Sequence, residues 1–320
     1  MIDFSSCIEF IKGDILITAH RHPDGDAMGS VLALREIAIQ LGANVVVYSQ
    51  DPFDESISFL SGFADIVSHV DKNKFFDAVF VLDCGSKKLV GEDLPDSMHR
   101  KSLVVIDHHS TRDPFGDIEF VDSKASSCGL LIQELCLQAG LNLNRDISLA
   151  LWIASSSDTG SFRYSSTDPR TMYYAAQLLE NGADPWLCAK ALYESNPPER
   201  MKLLGLVLST MQIRHNGKTA SLYVSNSMLD ESGADMETSS GFVNYVRSIR
   251  GVEIAFILRP GDDENLVKVS FRSTGNFPVD KIAALFGGGG HPNAAGASFQ
   301  CSINCAMDKV FDVIGETYGW

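Results

Sequence analysis

The sequence predicts an α/β protein, with a mainly parallel sheet in a larger N-terminal domain and a smaller C-terminal α/β domain. Three observations carry this. Short Val- and Ile-rich runs alternate with a helical pattern in the first half, as strand-helix-strand units require. The pattern turns helical after residue 125, and strand-like runs return after the break at Asn196-Pro197-Pro198. A chain of 320 residues also suits about two domains.

In order, the runs 14–19, 44–48, 78–82 and 103–106 are short, apolar and end in polar or charged residues, as buried parallel strands do. Between the first two, Ala27, Val31, Leu34, Ala38 and Leu41 fall at steps of four, three, four and three before Gly42. That spacing predicts an amphipathic helix with a glycine stop. Helices are expected over 126–139, 147–154 and 169–179, with further helix to Tyr193. After the Pro-Pro break, 199–211 reads as a connecting helix. In the tail, 219–224, 252–258 and 267–272 read as strands and 242–249 and 279–286 as helices. The expected organisation is a catalytic domain over 1–195, a linker over 196–212 and a substrate-binding domain over 213–320.

Composition narrows the class. Apolar residues at 45% and charged residues at 21% describe a globular chain rather than a disordered or fibrous one. No apolar stretch approaches the ~18 residues of a membrane span, and the acidic, polar N-terminus does not read as a signal peptide. The seven scattered cysteines among apolar neighbours read as reduced core thiols, so a cytoplasmic location is expected. With 26 basic and 41 acidic residues the net charge is −15, which argues against coating long nucleic acid. Up to residue 212 there are 17 basic and 29 acidic residues, so the first domain must repel anions or neutralise its carboxylates, with divalent metal the obvious agent.

Five segments carry chemistry. The first, His20-Arg21-His22-Pro23-Asp24-Gly25-Asp26, stands where a strand ends and a helix begins, the position of sites in open α/β sheets. Alone, Asp24 or Asp26 would be a helix cap. One imidazole and two carboxylates on a glycine-freed turn instead offer nitrogen and hard-oxygen ligands to a metal. The second is the strand ending at Asp83 before Cys84-Gly85. The third, Asp107-His108-His109 after a buried strand, lets one imidazole bind metal while its neighbour faces substrate and Asp107 orients a ligand. The fourth is a small-residue helix delivering Asp158 to Thr159-Gly160. The last is Gly287-Gly288-Gly289-Gly290-His291, whose glycines let backbone approach a ligand and offer N–H groups to an anion. Upstream, Lys268, Ser270 and Arg272 share one face of a strand, from which Arg272 can grip a phosphate.

These five segments, in this order, resemble the DHH phosphoesterase superfamily with its DHH-associated C-terminal domain. Length and layout resemble its branch of bifunctional oligoribonucleases and pAp phosphatases. The resemblance implies an active site in the cleft between the domains and two divalent cations, Mn²⁺ by family habit. It assigns His20, Asp24 and Asp83 to one cation and Asp26, Asp83, His108 and Asp158 to the other, with Asp83 bridging. It makes Asp107, His108 and His109 catalytic, with His109 on the phosphate. Substrate would be held by Arg272, His291, Gly288, Gly289 and Gly290, with Arg259 as a helper.

The expected activity is hydrolysis of short oligoribonucleotides and linear dinucleotides such as pApA to mononucleotides, and of pAp to AMP. The enzymatic alternatives are an inorganic pyrophosphatase or a cyclic-dinucleotide phosphodiesterase. The non-enzymatic alternative is a metal-stabilised nucleotide-binding protein. Expected partners are short single-stranded RNA, dinucleotides and pAp, with no membrane and with homodimerisation left open. Two divalent cations would bring the net charge of −15 to −11, which disfavours long substrates more than nucleic acid as a class.

Overall fold

The computed structural model describes residues 2–261, 263 and 266–320, with the backbone alone for His291. The chain forms two compact units, Met1–Ser195 and Asn196–Trp320.

The first unit contains α1 (Ser5–Ile8), β1 (Asp14–Ala19), α2 (Gly25–Gln40), β2 (Asn44–Val47), β3 (Ala78–Leu82), β4 (Leu103–Asp107) and β5 (Ile118–Val121). Helices α3 (Cys128–Gln138), α4 (Arg145–Asp158), α5 (Pro169–Glu180) and α6 (Pro185–Tyr193) follow. The strands form one parallel sheet in the order β2-β1-β3-β4-β5. Ile15, Ile17, Phe80 and Leu82 bury one face in a core with Val31, Leu34, Leu131 and Ile153 of the helices. Leu16, Val79, Val81 and Val105 bury the other face with Tyr48 and Phe76. Both faces are covered, which is why β3 and β4 are apolar at nearly every position.

Helix α2 begins two residues before its first expected apolar position, because Asp24 caps it: its Oδ1 accepts from the Asp26 and Ala27 amides. Gly29 of α2 and Gly129 of α3 permit close packing; a Cβ at either would strike Ala150 or Ala154 of α4. Strand β5 escapes sequence reading because its residues Ile-Glu-Phe-Val are mixed and only Phe120 is buried.

In the second unit, α7 (Pro198–Leu208) precedes β6 (Gln212–Arg214), β7 (Thr219–Tyr223), α8 (Asn226–Ser232), α9 (Val243–Arg247), β8 (Ile254–Pro260) and β9 (Leu266–Ser273). Then come α10 (Val279–Leu285), β10 (Gly289–His291), β11 (Ala294–Gln300) and α11 (Ile303–Tyr318). The six strands are ordered β10-β11-β9-β8-β7-β6, with β7 and β8 parallel and the other neighbours antiparallel. Helix α7 buries Leu203, Leu204 and Val207 against Ala220, Leu222 and Ile257, so it forms part of this unit's core rather than a bare connector. The opposite sheet face packs on Ala306, Met307, Val310, Phe311 and Ile314 of α11. All seven cysteines are free thiols, and five are buried. Among the described residues no helix is long and apolar enough to cross a membrane.

Candidate metal centre and active site

Register brings the first three motifs together. Ala19 pairs with Leu82 and Leu82 with Ile106, so His20, Asp83 and Asp107 follow neighbouring strand positions at the C-terminal edge. Because β2 lies on one side of β1 and β3 on the other, this is the topological switch point, where loops diverge and leave a crevice. Asp24 and Asp26 enter at the start of α2, and Asp158 enters from the last turn of α4.

Three groups of facing ligand atoms result, each with its members within 4.8 Å of one another: His20, Asp24 and Asp83; Asp26, His108 and Asp158; and Asp83, His108 and His109. The His108 Nε2 atom lies 3.2 Å from Asp158 Oδ2, 3.3 Å from Asp83 Oδ1 and 3.5 Å from Asp26 Oδ2. Its Nδ1 lies 3.2 Å from the Ala125 carbonyl. A carbonyl only accepts, so Nδ1 carries the proton and Nε2 is turned to the carboxylates. His20 repeats this, with Nδ1 2.8 Å from the Arg21 carbonyl and Nε2 3.7 Å from Asp83 Oδ2.

The carboxylates are held with equal definition. Buried Asp26 accepts from the Cys128 amide at 2.6 Å, the Gly129 amide at 2.9 Å and the Ser30 hydroxyl at 3.2 Å. Asp83 has a left-handed backbone, with φ +52°, a conformation that Asp tolerates better than most residues. Asp107 Oδ1 accepts from the His109 Nδ1–H at 2.7 Å, and its Oδ2 from Arg112 Nε at 2.7 Å.

The charges are crowded. Burial pushes Asp26 well above the usual carboxylate range, and Asp83 and Asp158 add to the effect. Burial also lifts Asp158, to about 7. Burial opposes charge on Asp83, but the imidazoles of His108 and His20 outweigh it and hold its carboxyl below the ordinary range. Burial likewise opposes charge on His20 and His108, yet the surrounding carboxylates raise them to about 9 and about 11. The Asp107 hydrogen bond raises His109. Without other cations, imidazolium protons are the positive charge at this centre.

The residues fit divalent metal on two grounds. Asp83 Oδ1 is buried and has no hydrogen-bond partner, although acceptors in such positions are normally satisfied. The donors are carboxylate oxygen and imidazole nitrogen with no thiolate, a set suited to hard or borderline ions such as Mn²⁺ or Mg²⁺.

The structure places all six sequence-predicted metal residues in this cluster, with His109 and Asp107 beside it. Sequence reasoning missed four supports: Arg112, the Ala125 carbonyl, Ser30 and the amides opening α3. Only Arg112 had a local signal, as a cation five positions after Asp107. Beyond Asp158, Phe162 packs on Trp152 with ring centroids 5.2 Å apart, and the Tyr164 ring covers Gly160.

In the second unit, β9 alternates as expected, leaving Lys268, Ser270 and Arg272 on its less buried face. Arg272 pairs in register with Ala294 and Ala294 with His291, so the three backbones form one row; the His291 side chain lies outside the described residues. Arg259 donates to Ser239 Oγ, the Ser239 carbonyl and Ser270 Oγ. Gly288 and Gly290 have a local reason to be glycine: a Cβ at either would strike the backbone of β11.

Residues 14–155 match the DHH family, N-terminal domain, and residues 216–316 match the DHHA1 domain. Fold, cluster and matches together define a hydrolase of the phosphoesterase class. The chain carries the N-terminal domain of the DHH family followed by a DHHA1 domain. It is 29% identical over 311 residues to the bifunctional oligoribonuclease and PAP phosphatase NrnA of Thermus thermophilus, covering 97% of this chain and 91% of that one. The crystal structure of an exopolyphosphatase-related protein from Bacteroides fragilis matches with a TM-score of 0.92 and 27% identity, over 98% of this chain and 96% of that one. RecJ from Thermus thermophilus in complex with Mn²⁺ shares the fold at 12% identity, with a TM-score of 0.51 over 98% of this chain and 53% of that one.

Proposed function

We propose that the protein is a divalent-metal phosphoesterase that hydrolyses short oligoribonucleotides and linear dinucleotides such as pApA to mononucleotides, and pAp to AMP. The observation that carries this reading is the buried Asp83 carboxylate, whose Oδ1 accepts no hydrogen bond, set among three other carboxylates and the imidazoles of His20 and His108. The likeness to NrnA along nearly the whole chain supports the substrate class. The manganese in the RecJ structure supports Mn²⁺ as the ion.

His20, Asp24 and Asp83 would hold one cation, and Asp26, Asp83, His108 and Asp158 the other. When bound, such a pair supplies a Lewis-acid clamp on phosphoryl oxygens and lowers the pKa of a water. The chain's own groups do the rest. The carbonyls of Arg21 and Ala125 fix the tautomers of His20 and His108, so that each presents Nε2. His109, fixed by Asp107, contacts the phosphate. Arg272, with His291 and the Gly288–290 amides, would be the phosphate-binding groups of the second unit. Arg259 assists by holding Ser239 and Ser270 in place.

The test is product analysis on 5′-labelled RNAs of two to about ten nucleotides and on pAp, with Mn²⁺ and with chelator. The expected result is AMP from both pApA and pAp, lost with chelator and restored by Mn²⁺. Hydrolysis of neither substrate overturns the proposal.

A further inference from the structure

We infer that Arg112 is a positioning residue for His109, acting through Asp107. The side chain of Asp107 is fully buried, and its two oxygens are used differently. Oδ1 accepts three hydrogen bonds, from the amides of His108 and His109 at 2.9 and 3.2 Å and from His109 Nδ1 at 2.7 Å. Oδ2 accepts from Arg112 Nε at 2.7 Å. Arg112 is anchored in turn: its Nη1 donates to Glu119 Oε2 at 2.9 Å. Glu119 lies on β5 opposite Val105 of β4, and its Oε1 accepts the amides of Phe115 and Gly116, each at 2.9 Å. A chain of contacts therefore runs from the β5 backbone through Glu119, Arg112 and Asp107 to the His109 ring.

The physical argument concerns orientation. Donors on both oxygens fix the plane of the Asp107 carboxylate, and that plane sets the direction of the Nδ1–H bond that aims the imidazole. With Arg112 removed, Oδ2 loses this donor in a buried place, and a carboxylate left in that condition turns to seek another. The His108 amide also donates to Asp107 Oδ1, but its ring has a separate anchor in the Ala125 carbonyl. Arg112 should therefore matter to turnover and not to metal binding.

The inference rests on the reading of the site as a phosphoesterase only for its kinetic arm. The experiment uses full-length protein and three substitutions: Arg112→Met, Arg112→Lys and Glu119→Gln. In Arg112→Met, kcat on pAp should fall about tenfold to a hundredfold, the usual effect of losing an outer support, with KM and calorimetric Mn²⁺ affinity retained. In Mg²⁺-loaded protein the downfield His109 Nδ1–H proton resonance, assigned by its loss in His109→Gln, should shift or broaden. Arg112→Lys should recover part of both, and Glu119→Gln should show a smaller change in the same direction. Unchanged kcat, an unchanged His109 resonance, or a kcat loss matched by a loss of Mn²⁺ affinity would each overturn the inference. If Arg112→Met fails to fold, the same criteria apply to the other two variants. If the wild type turns over neither pAp nor pApA, the proposed function fails, and the resonance still decides whether Arg112 positions His109.

Discussion

Asp83 combines a left-handed backbone with a buried, incompletely satisfied carboxylate, and the two features make separable predictions. Asp83→Asn keeps a residue that tolerates φ +52° but loses the charge shared between the proposed cations. Turnover should fall by more than the ~100-fold typical of an outer support. Asp83→Ala should be equally inactive and also less stable than the Asn variant by about 1 kcal/mol, since Ala pays for the left-handed conformation; denaturant unfolding of the two proteins checks it. The protons at the centre predict a pH effect. Asp158 at about 7, His20 at about 9 and His108 at about 11 are all raised in the metal-free protein. Stability gained from these shifts is complete below the unfolded values and is lost as pH rises through the folded ones, so metal-free protein should melt at lower temperature near pH 9 than near pH 6. Metal must displace the same protons, so Mn²⁺ affinity should rise over that range while protons released per ion fall. Calorimetry in buffers of different ionisation enthalpy measures both; pH-independent affinity would contradict the assignment.

The elements that carry ligands are locked by small residues. Helices α2 and α4 deliver Asp26 and Asp158, and Gly29 of α2 lies against the backbone of α4 at Ala150 and Ala154. The contact partner is backbone, so it cannot swing aside. Gly29→Ala should therefore destabilise the protein by about 1–3 kcal/mol through overpacking. It should also weaken Mn²⁺ binding by shifting one ligand-bearing helix against the other; retained stability and retained metal affinity would sink this account. The same scale shows what sequence patterns convey. Helix α2 and strands β1, β3 and β4 were legible because both faces of their packing repeat along the chain. Strand β11, Ala-Ala-Gly-Ala-Ser-Phe-Gln, has little intrinsic strand preference and exists because β9 and β10 pair with it. Helix α11 did carry a readable signal, with Ala306, Met307, Val310, Phe311 and Ile314 at helical spacing behind the Ser302 cap.

For the whole molecule, the net charge of −15 sets the terms on which a polyanion approaches. The two proposed divalent cations would bring it only to −11, so added phosphates on a long RNA should meet a surface that repels them. Catalytic efficiency should therefore fall as RNA lengthens from two to about ten nucleotides. The salt slope of binding should reflect only the one or two phosphates held at the site, not the length of the strand. Anisotropy titrations with catalytically inert Asp83→Asn, over RNAs of graded length and two salt concentrations, test this. Tighter binding and a steeper salt slope for longer strands would overturn it.

The sequence by itself determined the fold class, the strand ends at which His20, Asp83 and Asp107 stand, and the chemical kind of site they make. These follow from local facts: a buried strand shows as an apolar run, and the residues just past its end are the ones an open sheet presents. The tertiary structure decided how the site is wired. The amides that fix Asp26 come from residues 102 and 103 positions away, and the carbonyl that fixes the His108 tautomer from 17 positions away. The Glu119 that anchors Arg112 belongs to a strand that no pattern announced. Such partners are chosen by packing between elements, where neither periodicity nor spacing along the chain carries information. The ligands were therefore readable one by one, while their orientation became visible only in the folded protein.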